Sequence, residues 1–224
     1  MKNAGWLALI AALAAVPVMQ GCLPVAAVGM GAAFTSVNDR RTSGTQIDDE
    51  GIELRAQNRI SDRFGDKAHV NVTSYNRSVL LTGEVTNEAT KAEIEKIVSG
   101  VTNVRGITNE IAVAGSSALS ARANDSYLTS KVKARFVDAN YFNPFHVKVV
   151  TENSTVYLLG IVTEQEAKLA TDIARTTGGV RKVVRLFDYC KPTDDACRPP
   201  PPTAAPWRSR SRPSARSSRP GRAC

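Results

Sequence analysis

A pattern of about forty residues occurs twice in this chain, and that duplication restricts its possible folds more than any other feature. Val79-Leu80-Leu81-Thr82-Gly83-Glu84-Val85-Thr86 lies over Val156-Tyr157-Leu158-Leu159-Gly160-Ile161-Val162-Thr163 at a constant offset of 77. His69-Val70-Asn71-Val72 lies over His146-Val147-Lys148-Val149 and Lys91 over Lys168 in the same register. After a slip of two residues, Gly100-Val101-Thr102-Asn103-Val104 lies over Gly179-Val180-Arg181-Lys182-Val183. A chain of this kind folds as two copies of one small unit.

Hydrophobic spacing gives the unit its elements. Ile52, Ala56, Ile60 and Phe64 step by four, as do Leu128, Val132 and Phe136, which makes one apolar helical stripe in each copy. Asp48 or Asp49 and Asn124 are the expected N-caps. Period-two runs follow at Val70/Val72 with Val79/Leu81/Val85, and at Val147/Val149 with Val156/Leu158/Val162. The polar links Tyr75-Asn76-Arg77-Ser78 and Glu152-Asn153-Ser154-Thr155 make each pair a hairpin. A second helix is expected around Glu88–Val98 and Glu164–Thr176, the latter opening on the capping box Thr163-x-x-Glu166. A last strand near Val104–Val113 and Val180–Tyr189 completes αββαβ twice, an α+β fold with two helices on one face of a three-stranded sheet. Gly83 and Gly160 interrupt good strands, so a close neighbour, expected to be a helix, packs on their backbones.

The formal net charge of +8 suggests a polyanion partner until it is located. Residues 23–190 hold 20 Lys+Arg against 19 Asp+Glu, whereas residues 191–224 hold 8 against only Asp194 and Asp195. The basic character belongs to a tail that opens on Pro199-Pro200-Pro201-Pro202 and continues in Arg and Ser, a composition too poor in apolar residues to fold. Cys190 and Cys197 are near enough in sequence to pair in an oxidising compartment, which leaves Cys224 over.

The amino terminus is an export signal. Lys2 precedes an apolar run from Trp6 to Val18, too short to span a bilayer, and Met19-Gln20-Gly21-Cys22 follows with a small residue before the cysteine. This resembles a bacterial lipobox, which implies that Cys22 becomes the lipid-bearing, palmitoylated first residue; Met19 and Gln20 differ from the residues the motif prefers. Leu23, in place of Asp, resembles the sorting pattern of lipoproteins sent to the outer membrane. The resulting segments are a signal peptide (1–21), a lipidated linker (22–47), a first module (48–113), a joint (114–123), a second module (124–189) and the tail (190–224). The joint is rich in Gly, Ser and Ala, which permits relative motion of the modules.

No catalytic constellation is present. His69 and His146 occupy equivalent strand starts in separate modules, where they read as neutral edge or surface residues. Neither a nucleophile elbow nor a phosphate-cradling glycine loop occurs, and no cofactor is implied. The two copies do differ in charge. Residues 48–113 hold 8 basic and 11 acidic residues, whereas 124–188 hold 9 and 7. On the first helix of the second copy, Tyr127, Lys131, Ala134 and Arg135 share a face beside the Leu128 stripe, an amphipathic aromatic among cations of the sort that suits an anionic lipid surface.

Lipobox, linker, the segment Thr42-Ser43-Gly44-Thr45-Gln46-Ile47-Asp48-Asp49, the strands Val70-Asn71-Val72-Thr73 and Val79-Leu80-Leu81-Thr82-Gly83, and Val162-Thr163-Glu164-Gln165-Glu166-Ala167 together resemble the dual BON-domain outer-membrane lipoproteins. The resemblance covers residues 1–190. It implies two αββαβ modules, a periplasmic location at the outer membrane, anionic phospholipid binding through the second module at Tyr127, Leu128, Lys131, Ala134 and Arg135, and support of envelope integrity. It implies neither enzymatic activity nor a nucleic-acid partner. The alternative is a periplasmic scaffold that docks a protein of the envelope assembly or division machinery.

Overall fold

The computed structural model describes residues 39–115 and 117–198. The export signal, Cys22 and the tail from Pro199 onward lie outside these residues. The first module comprises α1 (Ser43–Phe64), β1 (Ala68–Tyr75), β2 (Ser78–Val85), α2 (Glu88–Ser99), β3 (Gly106–Asn109) and β4 (Ala112–Val113). The second comprises α3 (Leu119–Ala139), β5 (Val147–Glu152), β6 (Thr155–Val162), α4 (Glu164–Arg175) and β7 (Lys182–Tyr189). In each, a hairpin runs antiparallel and the last strand returns parallel to its second arm, giving the orders β1-β2-β3 and β5-β6-β7. The last strand of the first module is split into β3 and β4. There the Asn109 side chain accepts from the Ile111 amide and Ile111 turns into the core.

The helices start earlier than their apolar stripes. Thr42 caps α1 through Thr45, and α3 begins after Ala118, so the linker ends near residue 42 and half of the expected joint is helix. Asp48, Asp49 and Asn124 are therefore interior residues and not N-caps. Asp49 and Asp125 take a different part. The Asn76-Arg77 and Asn153-Ser154 turns hold both central residues at positive φ, as a two-residue hairpin requires and as side chains other than glycine resist. A buried carboxylate pins each turn. Asp49 accepts from the Asn76 and Arg77 amides at 2.8 and 2.7 Å, and Asp125 from those of Asn153 and Ser154 at 2.8 Å each. Asp49 also takes the Ser74 hydroxyl at 2.7 Å and Arg41 at 2.8 Å. Burial alone would raise its carboxyl, but these donors outweigh it and the group sits below its ordinary range.

Each module has its own core between helices and sheet, built in the first from Ile52, Ala56, Ile60, Val79, Leu81 and Ile94. The second packs Val132, Phe136, Val149, Val156, Leu158 and Ala170. A third cluster joins Tyr75 and Leu80 to Tyr157 and Leu159, with Val150, Ile161, Val184 and Leu186 around it. The sheets thus pack face to face, and the helices cover the outside as a four-layer α/β/β/α arrangement. Polar contacts frame this seam: Lys148 to Glu53 at 3.0 Å, Asn71 to Glu152 at 3.0 Å, and Asn76 and Arg105 to Asp188 at 2.7 Å. The modules are joined by an apolar interface and not merely by a linker.

Adjacent arginines ahead of α1 close the seam at one end. Arg40 forms a two-pronged pair with Glu166, at 2.6 and 3.0 Å, and donates to the Ile161 carbonyl at 2.9 Å, all in the second module. Arg41 pairs with Asp49 and lies 4.2 Å over the Tyr75 ring, both in the first. Burial would raise the Glu166 carboxyl, yet donors from His146, Arg40 and the Thr163 amide hold it well below the carboxylate range.

Gly83 and Gly160 are needed for a reason other than helix packing. A Cβ at either site would collide with a backbone carbonyl, that of His69 or of His146, so the close neighbour is the chain entering the partner strand. At the far end of the chain, Cys190 and Cys197 form a disulfide with Cα atoms 6.2 Å apart, closing a turn against the end of β6.

Two outcomes are expected. Asp125→Ala strips two turn amides of their acceptor and lowers stability by roughly 2–3 kcal/mol, and Asp49→Ala, with four donors lost, costs more; urea midpoints rank them, and equal costs would refute the clamp. Because the Glu166 carboxyl is depressed on folding, its contribution is full above the ordinary value of 4.5 and is lost as pH falls below it. Melting temperatures on acidification should therefore fall less for Glu166→Gln than for the parent chain.

Candidate functional site

Three turns of α3 face outward from the four-layer stack. Leu128, Val132 and Phe136 fill the core, so the opposite side of the helix is turned away from it. Tyr127 is 62% exposed, Ala134 is exposed, and Val137 is exposed at 60%. Tyr127 and Ala134 are seven residues apart, two helical turns, which stacks them along one line of α3; Tyr141, 70% exposed, lies just past the left-handed Asn140 that ends the helix. Phe145, 48% exposed, follows at the end of the helix. Val137, Tyr141 and Phe145 were not singled out by the sequence pattern.

Of the residues expected to form this face, Leu128 does not belong to it. It is 2% exposed and packs where Gly179, at φ +103°, leaves room for it. Its role is core filling, because it stands on the same stripe as Val132.

The two cations are partly committed. Lys131 donates to the Gly178 carbonyl at 3.0 Å while its amine sits 5.8 Å from the centre of the Tyr127 ring. Arg135 donates to the Ile173 carbonyl at 2.8 Å and to the hydroxyls of Thr177 and Thr176 at 2.6 and 3.1 Å. Both thereby place positive charge at the carbonyl end of α4, where the helix dipole favours it. Lys133 is exposed on the same turn.

The equivalent positions in the first module separate structural residues from candidate functional ones. The buried stripes Ile52/Ala56/Ile60 and Leu128/Val132/Phe136 correspond at an offset of 76, as do Asp49 and Asp125. Arg59 therefore corresponds to Arg135, and it too donates to the end of the following helix, at the Gly100 carbonyl, 2.9 Å away. Arg55 corresponds to Lys131, and Gly51 to Tyr127. The cations recur in both modules, and Arg59 and Arg135 serve the fold in both; at the position of Tyr127 an aromatic side chain stands in the second module alone.

The histidines are placed apart, as their strand-start positions require, but each has a carboxylate partner: His69 with Glu84 at 3.1 Å and His146 with Glu166 at 3.3 Å. They are half-buried and hydrogen-bonded to those carboxylates, and not free surface groups. Among the described residues, no group of three or more His, Cys, Asp or Glu is arranged to hold a metal ion, and no helix is long and apolar enough to cross a membrane.

The BON domain family model matches residues 48–115 and again residues 124–191. Over 175 residues the chain is 41% identical to "Outer membrane lipoprotein DolP" of Haemophilus influenzae, covering 76% of this chain and 90% of that protein. It is 31% identical over 153 residues to a "21 kDa hemolysin" of Actinobacillus pleuropneumoniae, covering 67% and 79%. It is 27% identical over 175 residues to "Osmotically-inducible protein Y" of Escherichia coli, covering 70% and 87%. Two αββαβ units, two family matches and an extended likeness to DolP agree on one conclusion: the chain belongs to the BON-domain family, as a dual-domain, DolP-like protein.

Proposed function

We propose that this chain is a non-enzymatic lipoprotein of the outer membrane, attached through lipid on Cys22, which contacts anionic phospholipid through the outward side of α3 and supports envelope integrity from the periplasmic face. The likeness to a DolP named as an outer membrane lipoprotein supports the location. The observation that carries the contact is the exposed pair Tyr127 and Ala134 on α3, with Lys131 and Lys133 on the same helix and Tyr141 exposed just past its end, the other side of the helix being core. Tyrosine suits a headgroup layer because its ring enters apolar surroundings while its hydroxyl stays wet, and each nearby cation adds about 1 kcal/mol against anionic lipid. Ala134 lets the helix approach closely beside the Tyr127 ring. The second module has the charge for this contact; the first is acidic and offers Gly51 where Tyr127 stands.

Flotation of residues 39–198 with anionic and zwitterionic vesicles tests this reading. The expected result is salt-sensitive flotation with anionic vesicles only. Tyr127→Ala with Lys131→Glu, which removes one ring and reverses one charge, should lower partitioning about thirty-fold with the fold intact by circular dichroism. Tyr127→Ala with Tyr141→Ala should lower it without touching the caps on α4. Unchanged flotation of both variants would move the site off α3. A single dominant protein adduct on crosslinking in cells, surviving loss of Tyr127, would favour a docking scaffold instead.

A further inference from the structure

Each sheet has two edge strands, and three of the four edges are split, occupied or short. The last strand of the first module is broken between β3 and β4, where the Asn109 side chain accepts from the Ile111 amide. On β1, the Ser74 amide donates to Glu53 at 2.7 Å and the Ser74 carbonyl accepts from Lys148 at 3.3 Å, so side chains take up that edge. β5 has only six residues, and its last side chain, Glu152, accepts from Asn71 of the first module. Breaks, charged side chains and short length are the usual means of keeping an edge from pairing further.

β7 differs from all three. It runs unbroken for eight residues, Lys182–Tyr189, with β6 on one side and no strand on the other among the described residues. Val183 and Phe187 pack on the second core, and Val184 and Leu186 enter the seam. Asp188 is held from the first module by Asn76 and Arg105, each at 2.7 Å. Both faces of the strand are thereby fixed, while half of its peptide groups point away from β6.

Beside this edge α4 leaves a groove of about 330 Å³, lined by Ala167, Lys168 and Thr171 of the helix and by Arg185 and Tyr189 of the strand. Tyr189 is 58% exposed and meets Phe187 edge-on, with ring centres 6.3 Å apart. Of the two acids in the groove, Asp172 is paired with Arg175 at 2.9 Å, and Glu164 lies in the first turn of α4. Lys168 and Arg185 are exposed and form no ion pair among the described residues.

We infer that the open edge of β7 docks an extended, acidic segment of a partner protein, which joins the second sheet as a fourth strand. A strand laid along β7 satisfies the outward amides and carbonyls, and every second side chain falls into the groove beside α4. There it meets Lys168 and Arg185, so carboxylates at alternate positions complement the site, and Tyr189 supplies an aromatic surface at one end. A second copy of this chain is the poorer occupant, because joining two β7 edges brings two basic strands together. α3 packs on β5, whereas α4 packs on β6 and β7, so the docking edge lies across the sheet from the helix proposed to meet lipid. The inference uses no residue of α3 and stands or falls apart from lipid binding.

The full chain in detergent is titrated with labelled (Glu-Val)4 and (Lys-Val)4, and anisotropy and amide chemical shifts are read. The expected result is saturable binding of (Glu-Val)4, at least about tenfold tighter than (Lys-Val)4, with shifts at residues 183–189 and 168–172 and none on α3. Methylating the amides of every second residue of (Glu-Val)4 distinguishes strand addition from simple charge attraction and leaves the protein untouched. One of the two methylated series, that whose amides face β7, should lose about tenfold in affinity, and the other should bind as before. Lys168→Glu with Arg185→Glu should turn the preference to (Lys-Val)4. Absence of saturable (Glu-Val)4 binding, equal affinity of both methylated series, or a preference that survives the double charge reversal would each overturn the inference. A dimer in sedimentation that (Glu-Val)4 dissociates would overturn it too, in favour of a second copy.

Discussion

Both faces of each sheet are covered, and the arrangement of the molecule follows from that. Helices lie on one face and the other module's sheet on the opposite one, with Tyr75, Leu80, Tyr157 and Leu159 between them. Once the sheets are enclosed, the four helices are the layers that meet water, and any contact with a large surface is made by a helix. The core stripe of each helix turns inward, so its outer side is free of packing demands. Residues there cost the fold little to change, and Tyr127 in place of the first module's Gly51 is such a change.

The repeated unit supplies an internal comparison that a single domain lacks. Arg59 and Arg135 recur because the end of the following helix needs donors for its free carbonyls, and Arg55 and Lys131 are cations one turn earlier. They resemble a lipid-binding signature when one copy is considered alone. The copies together reassign Arg135, with three hydrogen bonds into α4, mainly to the fold. Tyr127, Ala134 and Tyr141 have no such duty.

Strand and helix order was legible in the sequence because the repeat doubled every weak signal and hydrophobic spacing marked the stripes. Helix starts were not, since Ser43–Gln46 and Leu119–Ala123 lack a core-facing apolar stripe and Ala118 caps without a side-chain bond. Asp49 read as a cap because a short acid before an apolar run usually is, and Asn124 drew that reading away from Asp125; the turn partners of both acids are 27 or more residues away. The seam between modules had a trace in Val79-Leu80-Leu81 and Val156-Tyr157-Leu158-Leu159, where apolar residues fill both faces of a strand. Arg40 and Arg41 left none, because a pair of arginines ahead of a helix has no periodicity to interpret.

Arg40 and Arg41 are neighbours in the chain but grip different modules, one at Glu166 and the other at Asp49. A pull arriving from the amino-terminal side is therefore divided between the two modules, through Glu166 in the second and through Asp49 on α1 in the first. The load is carried in parallel, across the seam and not through one module alone. Under the proposed attachment at Cys22, this makes the junction a strain relief: bending at the tether is absorbed by two ion pairs, and the orientation of the outer helix is kept.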